Sequence, residues 1–206
     1  MKPQCVIISG GEACPITDWE EAEYIIACDK GYLYAKTQGI PVNIVLGDFD
    51  SYGGEIEENI ERKSYPKEKD DTDTMLALKL AVSGGYDKIK ICCALGGRLD
   101  HLYGNIQAAV WAALRGAMIM MGNEQEELLI MGAGSVTLPR KEGYALSLFS
   151  PAGEQTILSV SGVKYPLERG TLSSSFPLGV SNEWAEEQAD ITVEQGILLV
   201  IQSKME

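Results

Sequence analysis

Through roughly its first 120 residues the chain alternates short apolar runs with segments of helical period. Residues 5–9, 24–28, 43–46 and 89–95 are brief, rich in Val and Ile and closed by Gly or Asp, the pattern of buried strands. Between them, residues 74–82 place Met75, Leu78 and Val82 on one helix face. Residues 101–115 do the same with Leu102, Ile106, Ala109, Val110 and Ala113, and Gly116 offers a C-terminal cap. Such alternation predicts a parallel sheet with helices on both sides. After about Met121 the pattern changes. Residues 128–131, 135–138, 144–149, 156–160, 190–193 and 197–202 are strand-like runs separated by Gly, Pro or Ser, with no convincing helix among them. Regular short strands with turn signals predict a β-sandwich or barrel. The expected fold class is α/β plus all-β: an N-terminal parallel-sheet domain over 1–122, then a C-terminal β-sandwich over 123–206.

Composition narrows the partners. The 206 residues hold 17 Lys and Arg against 30 Asp and Glu, a formal charge of −13, and 45% are hydrophobic. That is too apolar for a disordered chain. A general nucleic-acid partner is excluded, because phosphate backbones are bound by releasing counterions to a basic surface. The same excess makes an anionic substrate look unwelcome. The longest apolar stretch, 108–121, is broken by Arg115 and is too short for a bilayer, so no membrane partner is expected. The start, MKPQCVIISGG, passes from one Lys into a short apolar run and reads as a first strand, not a secretory signal. Five cysteines, an odd number without C-x-x-C spacing, fit reduced buried thiols in a cytoplasmic protein. Cys92 and Cys93, adjacent on a strand, point to opposite faces and cannot easily pair.

Three segments concentrate the chemistry. In Gly47-Asp48-Phe49-Asp50-Ser51, alternate residues of an extended chain share a side, so Asp48 and Asp50 can present two carboxylates at a strand's C-terminal end. Open α/β sheets bind ligands at that edge, and converging carboxylates suit Mg²⁺; alternatively both are turn or capping residues. In Lys67-Glu68-Lys69-Asp70-Asp71-Thr72-Asp73-Thr74, Asp71 or Thr72 can cap the following helix. Asp70 and Asp73, three apart, can share a metal, with Lys69 placed to meet a phosphate. In Gly96-Gly97-Arg98-Leu99-Asp100-His101, paired glycines let backbone N–H groups approach an anion at a helix start, and Arg98 adds a bidentate phosphate partner. Asp100 is a cap or a further metal ligand. His101 and Asn105 lie one turn apart and can line one pocket; alternatively His101 is a structural hydrogen-bonder. Asp29, ending the second expected strand, stands where nucleotide-binding sheets often keep a ribose-contacting acid. No P-loop pattern is present.

In matching order and spacing, Cys28-Asp29-Lys30-Gly31, Gly47-Asp48-Phe49-Asp50-Ser51, Lys69-Asp70-Asp71-Thr72-Asp73 and Gly96-Gly97-Arg98-Leu99-Asp100-His101 with Asn105 resemble the thiamine pyrophosphokinase family, bacterial type. The likeness continues, more loosely, through Gly162-Val163-Lys164-Tyr165-Pro166-Leu167, Gly179-Val180-Ser181-Asn182-Glu183 and Gly196-Ile197-Leu198-Leu199-Val200. Between Gly122 and Gly153 no motif anchors it.

The resemblance implies a nucleotide-binding α/β domain and a thiamine-binding β-sandwich, assembled as a homodimer with thiamine between subunits. It implies transfer of a pyrophosphoryl group from ATP to the thiamine hydroxyl, giving thiamine diphosphate and AMP. Asp48, Asp50, Asp70, Asp73 and Asp100 would then be the Mg²⁺-holding, phosphate-organising carboxylates, and Arg98 would act with Asp48, Asp50, Asp73 and Asp100 in catalysis. Asp29, Lys69, Thr72, Arg98, His101 and Asn105 would face the nucleotide. Ser181, Asn182 and Trp184 would face thiamine, although Trp184 suits a core or interface role equally. Two rivals stand beside this reading: another Mg²⁺-dependent phosphotransferase or hydrolase, and a non-catalytic nucleotide- or thiamine-binding protein. Mg²⁺ among the carboxylates would reverse the local sign, which reconciles an acidic chain with ATP.

Overall fold

The computed structural model describes residues 2–47, 56–66 and 70–205, mostly strands with a few helices. They form two compact units, Met1–Glu124 and Gln125–Glu206. The first contains β1 (Cys5–Ile8), β2 (Tyr24–Cys28), α1 (Gly31–Thr37), β3 (Ile44–Gly47), β4 (Glu61–Ser64), α2 (Asp73–Ser83), β5 (Lys88–Cys92), α3 (Leu99–Ala113) and β6 (Met118–Gly122). Its strands pair in parallel in the order β6-β5-β1-β2-β3-β4. β1 is wholly buried because its Cys-Val-Ile-Ile run is apolar on both faces. Val6 and Ile8 pack with Ile25, Ala35 and Ile40, while Ala27 and Val45 pack with Tyr32, Ile56 and Ile60. From β1 the chain lays β2, β3 and β4 outward on one side, then returns to lay β5 and β6 on the other. The C-terminal ends of β1 and β5 therefore flank the point where the strand order reverses, the place where open parallel sheets keep ligand crevices.

Several elements depart from the hydrophobic pattern. α1 escapes it because the helix is seven residues long and starts with Gly. β4 is exposed throughout, and its Glu-Arg-Lys-Ser sequence is that of a charged edge strand. The run expected to continue to residue 95 stops at Cys92, since Cys93 has φ 55 and leaves the ladder. α3 ends at Ala113, and Gly116, at φ 91, closes the turn beyond it.

The second unit contains β7 (Glu126–Met131), β8 (Gly134–Pro139), β9 (Tyr144–Phe149), β10 (Gln155–Ser161), β11 (Leu167–Ser173), β12 (Gly179–Asn182), β13 (Gln188–Gln195) and β14 (Leu198–Lys204). Every pairing among them is antiparallel, β12-β9-β14-β7 in one set and β11-β10-β13-β8 in the other. β13 buries Ala189, Ile191 and Val193 and exposes the residues between, the period-two pattern of a sheet with one dry face. β11 and β12, each holding a single buried residue, carry no such signal. Among the described residues no helix is long and apolar enough to cross a membrane.

Candidate active site

Parallel strands deliver their C-terminal ends to one edge. In the first unit that edge collects residues 9–11 after β1, 29–31 after β2, Gly47 closing β3, and 93–98 after β5. Close backbone packing fixes these turns. The Gly11 N–H donates to the Cys93 carbonyl at 3.0 Å. A Cβ on Gly31 would stand 2.1 Å from the Ile8 carbonyl oxygen, so α1 starts against the end of β1 as only glycine permits. Asp29, buried and at φ 44, donates its N–H to Leu46 at 2.8 Å and accepts from the Tyr32 N–H at 3.0 Å. The Tyr34 hydroxyl reaches back to donate to the Gly11 carbonyl at 2.9 Å.

The start of α2 is anchored to the same edge. Thr72 caps the helix, its Oγ1 accepting from the Met75 N–H at 3.1 Å. Asp71 is committed to Lys79, whose Nζ lies 2.7 Å from its carboxylate. The Cys28 thiol donates to the Asp73 carbonyl at 3.5 Å, and the Ser9 and Thr74 hydroxyls meet at 2.8 Å. Asp73 therefore sits where α2 meets the exits of β1 and β2. Asp70, just ahead of it, is exposed.

The turn from β5 into α3 is exposed from Gly97 to His101. Gly96 and Gly97 have φ of 82 and 70, a conformation that suits glycine, and a Cβ on Gly96 would collide with the Glu12 carboxylate. Arg98 precedes α3 and grips Asp100 with two bonds, Nε to Oδ1 at 3.1 Å and Nη2 to Oδ2 at 2.5 Å. The His101 N–H also donates to Asp100 Oδ1, at 3.0 Å. The Arg98 hydrogen bond, helped by that N–H, holds the Asp100 carboxyl below the usual carboxylate range, and Asp100 in turn raises Arg98. Both side chains face solvent. Asn105 donates from Nδ2 to the Ala94 carbonyl at 2.9 Å, fastening α3 to the exit of β5, while His101 is exposed.

Of the expected site residues, Asp48, Asp50 and Lys69 lie outside the described residues. Asp29, Asp70, Thr72, Asp73, Arg98, Asp100, His101 and Asn105 all fall on loops or helix starts at this one edge, with Asn105 one turn further in. Among the described residues no three His, Cys, Asp or Glu side chains gather closely enough to hold a metal by themselves. In the second unit, Ser181 is exposed at φ 57, its N–H donating to the Ser147 hydroxyl at 3.0 Å. Asn182 is buried, and its amide bonds both the N–H and the carbonyl of Tyr165 as well as the Glu183 N–H, at 2.9–3.0 Å. Trp184 is half-buried and donates from Nε1 to the Tyr144 carbonyl at 3.0 Å. Sequence reasoning missed Glu12, Ser9 and Thr74. Glu12 follows the Gly10-Gly11 turn and was findable from it; the Ser9–Thr74 contact had no local signal.

Glycine turns, a guanidinium and carboxylates stand at the reversal point of a parallel sheet in the first unit, and the second unit is all antiparallel: an α/β-plus-β protein, which the following likenesses place in the transferase and kinase class. The model of the thiamin pyrophosphokinase catalytic domain matches residues 17–121, and that of the thiamin pyrophosphokinase vitamin B1 binding domain matches 135–198. The thiamine pyrophosphokinase of Bacillus subtilis (strain 168) is 30% identical over 96% of this chain and 97% of its own length. Crystal structures of the Bacillus subtilis enzyme and of an Enterococcus faecalis family protein superpose with TM-scores of 0.83 and 0.82. Their identities are 27% and 28%, and each covers 98% of this chain, with 99% and 100% of their own. The chain belongs to the thiamin pyrophosphokinase family.

Proposed function

We propose that the chain transfers the pyrophosphoryl group of ATP to the hydroxyl of thiamine, yielding thiamine diphosphate, AMP and a proton. The observation that supports this best is the Gly96-Gly97-Arg98 turn with Asp100, set at the β1/β5 reversal point beside the start of α2. In this reading the thiamine hydroxyl attacks the β-phosphorus in line with the departing AMP. Backbone N–H groups of the glycine turn approach the phosphates, and Arg98 and Lys69 neutralise charge that grows in the transition state. Asp100 holds the guanidinium of Arg98 in orientation. A neighbouring aspartate accepts the hydroxyl proton.

Asp70, Asp73 and Asp100 are hard oxygen donors, the kind Mg²⁺ takes, and with Asp48 and Asp50 they would hold it. When bound, Mg²⁺ supplies positive charge to the phosphate oxygens. Asp29, Thr72, His101 and Asn105 complete the nucleotide side. Ser181, Asn182 and Trp184 serve thiamine, with Asn182 acting through the Tyr165 segment that it braces. We assign 1–122 to an α/β ATP- and Mg²⁺-binding catalytic domain and 123–206 to a β-sandwich for thiamine binding and dimerisation. The working form is a cytoplasmic homodimer with active sites between subunits.

The test is incubation with ATP, Mg²⁺ and thiamine, followed by identification of both products. Thiamine-dependent AMP with thiamine diphosphate is the expected result. ADP, or AMP release indifferent to thiamine, would overturn the assignment.

A further inference from the structure

Two cysteines that no sequence motif links come together at the reversal point. Cys14, in the loop after β1, has its sulfur 3.6 Å from that of Cys93, at the exit of β5. Cys93 is a non-glycine residue at φ 55, a strained conformation for an L side chain, and is buried; Cys14 is partly open to solvent. The two segments already touch through the Gly11 N–H on the Cys93 carbonyl and the Cys93 thiol against the Cys14 carbonyl, 3.8 Å away. A disulfide needs sulfurs about 2 Å apart, so closure asks for a side-chain rotation and a small loop shift.

We infer that Cys14 and Cys93 form a reversible redox pair, oxidised by peroxides to a disulfide that clamps the loop after β1 onto the loop after β5. Cys14 is the attacking thiol: it is the more accessible of the two, and its sulfur shares a hydrogen bond with that of Cys93. That bond is the main reason its pKa falls to about 6, opposed by burial and aided by the charge of Lys90, while Cys93 is pushed up. The Cys14 thiolate attacks one peroxide oxygen, breaking the O–O bond, and after proton uptake gives a sulfenic acid and water. The Cys93 thiol then displaces the hydroxyl from that sulfur; the S–S bond forms and a second water leaves. Two thiols lose two electrons and two protons, and one hydrogen peroxide becomes two waters. Cys5 and Cys92, buried and pushed up to about 12, are poor competitors.

Cys93 stands three residues before Gly96, and Cys14 two after Glu12, whose carboxylate packs against Gly96. The clamp therefore grips both walls of the glycine turn. Its effect on turnover rests on the reading of that turn as the phosphate site.

The full chain would be treated with hydrogen peroxide, its free thiols blocked, and its peptides mapped by mass. A Cys14–Cys93 link lighter by two hydrogens, removed by dithiothreitol, is expected. Turnover should fall about tenfold with its formation and recover on reduction. Cys14→Ser should keep its activity through the same treatment. Free Cys14 and Cys93 after oxidation of the other thiols would overturn the pair. A mapped link with unchanged turnover would overturn the clamp. Failure of the untreated chain to make thiamine diphosphate would instead sink the functional reading, with the link still scored by mass.

Discussion

The hydroxyls of Ser9 and Thr74, 65 positions apart in the chain, meet at 2.8 Å out of reach of water. One directly follows β1 and the other lies in the first turn of α2, so a single hydrogen bond aligns the helix that carries Asp73 with the centre of the sheet. Thr74→Val would leave the Ser9 hydroxyl buried and unmatched, at a cost of about 1–3 kcal/mol. Adding Ser9→Ala removes the orphan, so the double variant should lose less than the two single losses summed. Urea unfolding of the three variants measures this.

Gly31 faces the Ile8 and Ser9 carbonyls, where a Cβ would stand at 2.1 and 2.9 Å. Gly31→Ala must push α1 off the end of β1. A loss of about 3 kcal/mol or more is expected, read as a sharply lower Tm or an insoluble product.

Arg98 and Asp100 are both exposed, so their ion pair adds little stability. Asp100→Asn should leave Tm nearly unchanged and lower kcat by about a hundredfold or more. Near-normal turnover in the folded variant would remove Asp100 from the chemistry.

Lys90 donates to Asp18 at 2.5 Å, and that hydrogen bond, working against partial burial, holds the Asp18 carboxyl below its ordinary value of 3.8. The folded pKa lies below the unfolded one, so the pair's contribution is complete above the unfolded value and drains away as pH falls through the folded one. Asp18→Asn keeps a side chain that tolerates φ 61, and its stability should lose part of the wild-type acid dependence below about pH 4. Parallel acid titrations followed by circular dichroism compare the two; identical curves would assign the acid sensitivity elsewhere.

Asn182 and Ser181 are neighbours with different jobs. Asn182→Ala deletes three bonds to the Tyr165 and Glu183 backbone inside the unit and should cost about 2–3 kcal/mol. Ser181→Ala removes an exposed hydroxyl, leaves stability unchanged, and should raise the KM for thiamine. A Ser181 variant with unaltered KM would place thiamine recognition on other residues.

The chain's own periodicity determined a great deal. Strand–helix alternation and strand-only patterning are set by neighbouring residues, and strand pairing follows the same division, parallel before Glu124 and antiparallel after Gln125. The family could also be read there, since its first-half motifs are short, contiguous and rich in residues whose chemistry is local. Burial signals reveal only elements that bury something: exposed β4, short α1 and the edge strands β11 and β12 carry no alternation to find. Only the tertiary structure decided which groups meet. The register of β1 beside β5 brings Gly11 to Cys93 and Cys14 within 3.6 Å of the Cys93 sulfur, 79 positions away. Packing within the second unit commits the Asn182 amide to Tyr165, and packing within the first brings Glu12 against Gly96. Such pairings depend on where separate segments cross in space, and no local pattern of apolar and polar residues encodes that.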